Sequence, residues 1–151
     1  MADAVRDIMT KNIITIDISK SALDGARLMD EKAISSLIVL KDGNPVGIVT
    51  ERDFIKKVCA KELAISQVKI GDIMSKILTT AEPDTPIEVA VQRMVNHKVR
   101  RLPVVEDGKI VGIITVTDLA KHLRTTLLID GAILDTENID NVIATMGHDK
   151  H

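Results

Sequence analysis

Short β-rich apolar runs alternate along the chain with longer stretches in which apolar residues return every three or four positions. The first pattern predicts strands and the second predicts amphipathic helices. In the first half of the chain this gives strand, helix, strand, turn, strand and helix, over residues 13–16, 21–33, 37–40, 42–44, 46–49 and 50–60. The turn contains Asp42-Gly43, which supplies the positive φ angles that a two-residue hairpin needs.

The second half of the chain repeats this order of elements. The corresponding segments are predicted at residues 78–80, 86–96, 102–105, 107–108, 110–114 and 115–128. Pro86 suits the first turn of its helix, where no amide donor is lost. The near-continuous apolar strands of both halves are typical of a sheet that is covered on both faces.

The two halves match at a constant spacing of 65 residues, the distance from Gly47 to Gly112. The sequence Gly-Ile-Val-Thr-Glu-Arg-Asp that begins at Gly47 recurs as Gly-Ile-Ile-Thr-Val-Thr-Asp, and Asp7-Ile8-Met9 recurs as Asp72-Ile73-Met74. Such internal duplication predicts a tandem architecture. We expect a first repeat, a linker, a second repeat and a C-terminal extension at residues 1–61, 62–71, 72–128 and 129–151.

The extension has no counterpart in the first repeat. Its predicted last helix covers residues 136–146. We expect the apolar residues of the extension to be buried, either on the flank of the molecule or against a second subunit.

The composition argues against several kinds of partner. A formal net charge of −2 offers no electrostatic surface for nucleic acid or an anionic membrane, and no apolar segment has the length of a signal peptide or a membrane span. We therefore expect a cytoplasmic protein. The lone Cys59 fits a reducing compartment and is expected to face the interior. Phe54 is the only aromatic residue, so a planar ring bound by this protein would lie between aliphatic side chains.

Each repeat carries Gly-x-x-Thr-x-x-Asp at the predicted junction of a strand and a helix. Thr-x-x-Asp can be a capping box alone, in which the hydroxyl and the carboxylate satisfy backbone N–H groups at the helix start. The glycines, Gly47 and Gly112, remove side-chain bulk, and a helix N-terminus favours an anion such as phosphate. The carboxylates, Asp53 and Asp118, can accept hydrogen bonds from ribose hydroxyls. The motif therefore indicates a duplicated nucleoside phosphate site, with the capping box as the alternative.

The doubled set of Asp-Ile-Met, Leu-Pro-Val-Val or Leu-Ile-Val-Leu, Asp-Gly and Gly-x-x-Thr-x-x-Asp resembles a tandem pair of CBS domains, over about residues 5–123. The resemblance implies an α/β fold of the α+β type, in which two βαββα repeats pack about a pseudo-two-fold axis, here followed by a C-terminal helical tail. It also implies adenosine-containing ligands in clefts between the repeats. Thr50 and Asp53 would mark one cleft, and Thr115 and Asp118 the other. Modules of this family commonly form flat dimers, so we expect a homodimer.

The two repeats differ just before the Leu-Pro-Val position. The second repeat has Arg100-Arg101 there, whereas the first has Ser35-Ser36. Family members that bind AMP or ATP have basic residues at this place that face phosphates, and guanidinium groups suit phosphate oxygens. Both arginines are therefore predicted phosphate ligands, with a solvated basic strand edge as the alternative. The first repeat offers hydroxyl groups, and Arg52 is its candidate to reach a phosphate.

These features predict a non-enzymatic adenine-nucleotide sensor without an obligatory cofactor. The ligand is left open among AMP, ADP, ATP, S-adenosylmethionine and a dinucleoside polyphosphate, and the bound form would be read by an effector protein. One alternative is a ligand-free dimerisation or interaction module. Another is a hydrolase or transferase, which we discount because neither a general base nor a metal cluster accompanies the motif, and the histidines lack metal-ligand spacing. The predicted ligand-binding residues are Thr15, Ser36, Gly47, Thr50, Asp53, Thr80, Arg100, Arg101, Pro103, Gly112, Thr115 and Asp118.

Overall fold

The chain folds into two compact units in the computed structural model, which describes residues 4–129. One unit is Ile13–Ile77, which holds most of the first repeat, and we call it the first-repeat unit. The other combines residues 4–12 with residues 78–129, and we call it the second-repeat unit. The order of strands and helices in each unit confirms the predicted mixed α/β fold with two repeats.

The first-repeat unit is built on a four-stranded sheet. Its strands are β1 (Thr15–Asp17), β2 (Ser36–Lys41), β3 (Asn44–Thr50) and β4 (Ser75–Lys76). They lie side by side in that order, with β1 parallel to β2 and the other neighbours antiparallel. The predicted hairpin is confirmed, because Asp42 and Gly43 have φ angles of 51° and 80°, as its turn requires.

Three helices complete the first-repeat unit, namely α1 (Ala22–Lys32), α2 (Glu51–Phe54) and α3 (Ile70–Ile73). Helix α1 confirms the predicted helix and begins at a capping box, in which the Asp24 N–H donates to Ser21 Oγ at 3.0 Å. Gly25 allows close packing inside this helix, because a Cβ there would lie 2.6 Å from Ile70 Cδ1.

The helix predicted over residues 50–60 is α-helical for its first turn alone. The chain then continues as a π-helical stretch, Ile55–Cys59, closed by a 2.8 Å hydrogen bond from the Ala60 N–H to the Ile55 carbonyl. An extra residue in a turn rotates the side chains that follow relative to an α-helix. The expectation for Cys59 is wrong, since this residue is exposed.

The second-repeat unit repeats the order helix, strand, strand and helix. Its helices and strands are α4 (Ile87–His97), β5 (Arg101–Glu106), β6 (Lys109–Thr115) and α5 (Val116–Ile129). Strands β5 and β6 form an antiparallel hairpin, again with a left-handed turn at Asp107 and Gly108. Pro86 stands at the N-cap of α4 instead of in its first turn, and no helical donor is lost there either.

The strand predicted at residues 78–80 is not formed. Ala81 alone makes a parallel bridge to β5, and its N–H donates to the Pro103 carbonyl at 2.9 Å. Pro103 itself explains the difference. At the matching position of the first repeat, Ile38 donates its N–H to the Ile14 carbonyl at 3.1 Å and so extends the ladder, whereas proline has no N–H to donate.

The start of each sequence repeat packs in the unit of the other repeat. Thr10, next to the first Asp-Ile-Met, exchanges backbone hydrogen bonds of 2.8 and 2.9 Å with Ile113 of β6. Strand β4, which follows the second Asp-Ile-Met, pairs with β3 in the same way. The equivalent residues Val5 and Ile70 are both fully buried, each in the core of its unit.

The compact units therefore do not follow the boundaries of the sequence repeat. Within the expected linker, Ile65 and Val68 pack against the first core. The division into two repeats, a linker and an extension stays a prediction about the sequence. The extension, including the helix expected at residues 136–146, lies outside the described residues apart from Ile129, where α5 ends.

Candidate ligand sites at the two strand-to-helix junctions

The motif of the second repeat forms a capping box. Strand β6 ends at Thr115, and Asp118 folds back onto that residue from the first turn of α5. Asp118 Oδ2 accepts from the Thr115 N–H at 2.9 Å and from its hydroxyl at 3.0 Å, while the Asp118 N–H donates to Thr115 Oγ1 at 3.1 Å. The second carboxylate oxygen, Oδ1, lies 3.4 Å from the hydroxyl of Thr10. One oxygen of Asp118 is thus committed to the cap, and the other has a single long contact within residues 4–129.

In the motif of the first repeat, the aspartate makes more contacts within the chain. Asp53 Oδ2 accepts from the Thr50 N–H at 2.9 Å and from its hydroxyl at 3.3 Å. Asp53 Oδ1 is ion-paired with Lys57 Nζ at 3.0 Å, and Lys57 also donates to the carbonyl of Ile73 at 2.9 Å. Asp53 is only 8% exposed. Both of its carboxylate oxygens are therefore in use within the chain.

The close approach expected beside the motif glycines is made by the chain itself. A Cβ on Gly112 would lie 2.7 Å from Met9 Sδ and 3.0 Å from the Thr10 carbonyl oxygen. Gly47 is approached in the same way by Met74 and the following carbonyl. Glycine is thus required for packing the Asp-Ile-Met methionine, and a direct role of the two glycines in ligand binding stays a prediction.

The strand register brings the residues before Leu-Pro-Val next to the motif. Arg101 is the cross-strand partner of Thr115, and Ser36 is the partner of Thr50. Paired residues of an antiparallel ladder carry their side chains on the same face. Arg100 is exposed, and its carbonyl accepts from the N–H at the first residue of α5 at 3.1 Å. The second-repeat unit therefore has two consecutive arginines at the strand start that adjoins the N-terminus of α5.

The other predicted residues lie one strand away. Thr15 is in β1, and Thr80 is at the matching position before the Ala81 bridge. Pro103 is buried in β5. Arg93 on α4 was missed by sequence reasoning, although its Nη1 donates to the Thr80 carbonyl at 2.8 Å. The sequence did contain a sign that Arg93 is special to the second repeat, because the matching residue of the first repeat is the apolar Leu28.

Lys57 and Thr10 were also missed. Lys57 follows Asp53 by four residues, the spacing at which opposite charges pair on a helix, so the sequence carried a signal for it. Thr10 carried none, because it is separated from Asp118 by 108 residues and reaches it through the packing of the N-terminal segment against β6.

A model of the CBS domain matches the chain twice, over residues 5–60 and 70–125. The chain belongs to the CBS domain family. The two matches cover most of the chain and confirm the resemblance seen in its motifs. Tandem CBS domains are generally regulatory ligand-binding modules, and proteins of this family are typically not catalytic.

Similar proteins and a similar crystal structure support this assignment. An uncharacterized protein of Methanopyrus kandleri is 36% identical over 118 residues, which are 77% of this chain and 60% of that protein. The CBS domain-containing protein YhcV of Bacillus subtilis is 31% identical over 117 residues, 78% of this chain and 83% of that protein. The crystal structure of a conserved protein from Pyrococcus horikoshii matches with a TM-score of 0.72 at 34% identity, covering 82% of this chain and 94% of that chain. The chain thus spans less than two thirds of the Methanopyrus protein and most of the other two.

Residues 4–129 contain neither a candidate metal-binding group nor a candidate membrane-spanning helix. No group of three or more His, Cys, Asp or Glu side chains in this part of the chain is arranged to hold a metal ion. None of its helices combines the length and the apolar character needed to cross a membrane.

Proposed function

We propose that the two CBS repeats form a regulatory module that binds adenosine nucleotides such as AMP, ADP or ATP. S-adenosylmethionine and dinucleoside polyphosphates belong to the same class of ligand. The observation that carries this proposal is the junction of β6 and α5. There Asp118 keeps one carboxylate oxygen outside the capping box at the N-terminus of α5, and Arg101 is the cross-strand partner of Thr115 in the same motif.

Each part of a nucleotide has a matching group at this junction. The ribose hydroxyls can donate to Asp118 Oδ1, in place of the long contact with the Thr10 hydroxyl. The phosphates can bind Arg100 and Arg101, close to the N-terminus of α5 and the positive end of its helix dipole. Phe54, the only aromatic residue, is buried in the first core, so the adenine ring would contact aliphatic side chains.

Regulation would follow from a shift in the conformational equilibrium of the module, because a ligand favours the conformation that binds it more tightly. An effector protein would then recognise that conformation. We propose a homodimer as the functional form, since large apolar side chains, including Ile55 at 64% and Leu63 at 51% exposure, lie on the surface of the first-repeat unit.

A second candidate function is a ligand-free dimerisation or interaction module. It is favoured by the first-repeat unit, where every oxygen of the Asp53 carboxylate is bound within the chain. In that case the motif would act only as a helix cap in both repeats.

Calorimetric titration with ATP, ADP, AMP, adenosine and GTP separates the two candidates. We expect adenine nucleotides to bind in preference to GTP. The chain has no Trp or Tyr, so adenine that co-purifies should be visible as absorbance at about 260 nm after the protein is denatured. Absence of heat with all adenosine compounds, S-adenosylmethionine included, would favour the interaction module.

A further inference from the structure

Lys57 is held at two points inside the first-repeat unit. Its ammonium group lies 3.0 Å from Asp53 Oδ1 and donates to the carbonyl oxygen of Ile73 at 2.9 Å. It belongs to the π-helical stretch after α2, one turn beyond the aspartate. The Lys57 side chain is 37% exposed and the Asp53 side chain 11%, so the ion pair is partly shielded from water.

The second-repeat unit lacks this arrangement. The residue that matches Lys57 is His122, and among the described residues neither an ion pair nor a hydrogen bond joins it to Asp118. Asp118 Oδ1 meets the hydroxyl of Thr10 at 3.4 Å instead, beyond the usual length of an O–H···O hydrogen bond. A hydroxyl at that distance is easily displaced by a ligand, whereas a charge-assisted contact at 3.0 Å is stronger.

We infer that Lys57 is an internal competitor for ribose at Asp53, and that it thereby determines which repeat binds nucleotide more tightly. A ribose diol needs an available carboxylate oxygen, and at Asp53 it must compete with the ammonium group of Lys57 for Oδ1. That competition lowers the affinity of the first repeat and is absent at Asp118. This inference rests on the proposed function and adds to it a specificity-determining residue outside the Gly-x-x-Thr-x-x-Asp motif.

The effect of Lys57 is separate from that of the two arginines of the second repeat. Arg100 and Arg101 would act on phosphate, so they distinguish ATP from adenosine. Lys57 acts on the ribose-binding oxygen, so it lowers the affinity for adenosine and for ATP alike. A lysine that instead bound phosphate would increase the affinity for ATP and leave adenosine unaffected.

Each site has its own methionine that can report on binding. Met74 packs against Gly47 in the first-repeat unit, and Met9 packs against Gly112 in the second-repeat unit. Labelling of the methionine methyl groups with ¹³C gives at most six signals, one for each methionine of the chain. The variants Met74→Leu and Met9→Leu assign the two reporters. Titration with ATP and with adenosine, followed by NMR, then gives a separate dissociation constant for each repeat.

We expect the Met9 signal of the wild-type protein to respond at lower ligand concentration than the Met74 signal. Lys57→His, which installs the residue of the second repeat, should lower the dissociation constant reported by Met74 by about two- to fivefold for both ligands, the range expected from releasing a partly exposed ion pair. Lys57→Gln, which removes the charge and keeps a long side chain, should act in the same direction. The reciprocal change His122→Lys should raise the dissociation constant reported by Met9.

The outcomes separate this inference from the proposed function. An unchanged or raised dissociation constant at Met74 in both Lys57 variants would overturn the inference, while binding at Met9 would still support the nucleotide site. If neither reporter responds to ATP or adenosine in any variant, the proposed function fails and the inference fails with it. The core residues Met29 and Met94 serve as internal controls, because their signals should stay unchanged in every variant that keeps the fold.

Discussion

Met9 packs directly against Gly112, so closely that a Cβ at Gly112 would lie 2.7 Å from the methionine sulfur. The contact joins the Asp-Ile-Met segment of the first sequence repeat to the strand that ends at the motif of the second. Met74 and Gly47 form the equivalent contact in the first-repeat unit. Two of the repeated sequence features are therefore packing partners within each unit, and the glycines need no ligand to explain them.

Gly112→Ala should destabilise the protein by about 1–3 kcal/mol, the usual cost of overpacking a filled site. The added methyl group would also lie 3.0 Å from the Thr10 carbonyl oxygen, which belongs to the backbone and cannot turn away as a side chain can. Denaturant unfolding measures the effect. Combining the change with Met9→Ala should cost less than the sum of the two single changes, because the shortened side chain makes room for the methyl group. A Gly112→Ala variant as stable as the wild type would contradict the packing explanation.

Replacing both Arg100 and Arg101 with alanine should weaken ATP binding by about 2–4 kcal/mol, because a hydrogen bond to a charged group is worth about 1.5–3 kcal/mol and the two are not fully additive. Adenosine binding should change little, since the arginines are assigned to phosphate. Calorimetry with both ligands makes the comparison. Equal losses for ATP and adenosine would mean that the arginines support the fold instead of binding phosphate.

The capping box of α1 should make stability depend on pH. The pKa of Asp24 is held below its ordinary value, first by the hydrogen bond from the Ser21 backbone N–H and then by the contact with the Ser21 hydroxyl. A lowered pKa in the folded state contributes stability that is present above the unfolded pKa of about 3.9 and lost as the pH falls through the folded value. Asp24→Asn should therefore lower the melting temperature near neutral pH.

At a pH well below about 4, the melting temperatures of the wild type and Asp24→Asn should converge, because the wild-type carboxyl is then protonated. Asp30→Asn provides the matched control, since Asp30 is on the same helix but outside the capping box. A difference between wild type and Asp24→Asn that stayed constant down to low pH would show that the charge of Asp24 does not contribute through the cap.

The features that could be predicted from the sequence depend on local patterns. The hairpin turns at Asp42-Gly43 and Asp107-Gly108 follow from residue types that accept positive φ angles. Helices α1 and α4 follow from apolar periodicity, and the repeat at constant spacing predicted that both halves would share one order of elements. The family, and with it the general regulatory role, followed from the doubled motifs.

The features that were missed depend on contacts between distant parts of the chain or on single atoms. The packing of each Asp-Ile-Met segment in the unit of the other repeat has no local signal. The strand at residues 78–80 is missing because Pro103 has no N–H to donate. Comparing Pro103 with Ile38, its counterpart in the first repeat, could have predicted this difference. The ion pair of Lys57 with Asp53 shows why two similar motifs differ: their surroundings, not their own residues, decide which oxygen is available.

The central claim is that Asp118 binds a nucleotide in addition to capping α5. Asp118→Asn keeps the size of the side chain and much of its capping ability, but removes the charge and one of the acceptors that a ribose would use. If Asp118 acts only as a cap, stability should fall by about 1 kcal/mol or less and binding should not change.

The most direct measurement is therefore a calorimetric titration of wild type and Asp118→Asn with ATP, beside thermal melts of both proteins without ligand. If Asp118 binds ribose, ATP affinity should fall about tenfold or more, near 1.4 kcal/mol, while the melting temperature of the ligand-free protein changes little. The equivalent change Asp53→Asn should have the smaller effect on ATP. An Asp118→Asn protein that melts early and yet binds ATP as the wild type does, after correction for the folded fraction, would contradict the claim and leave Asp118 a helix cap.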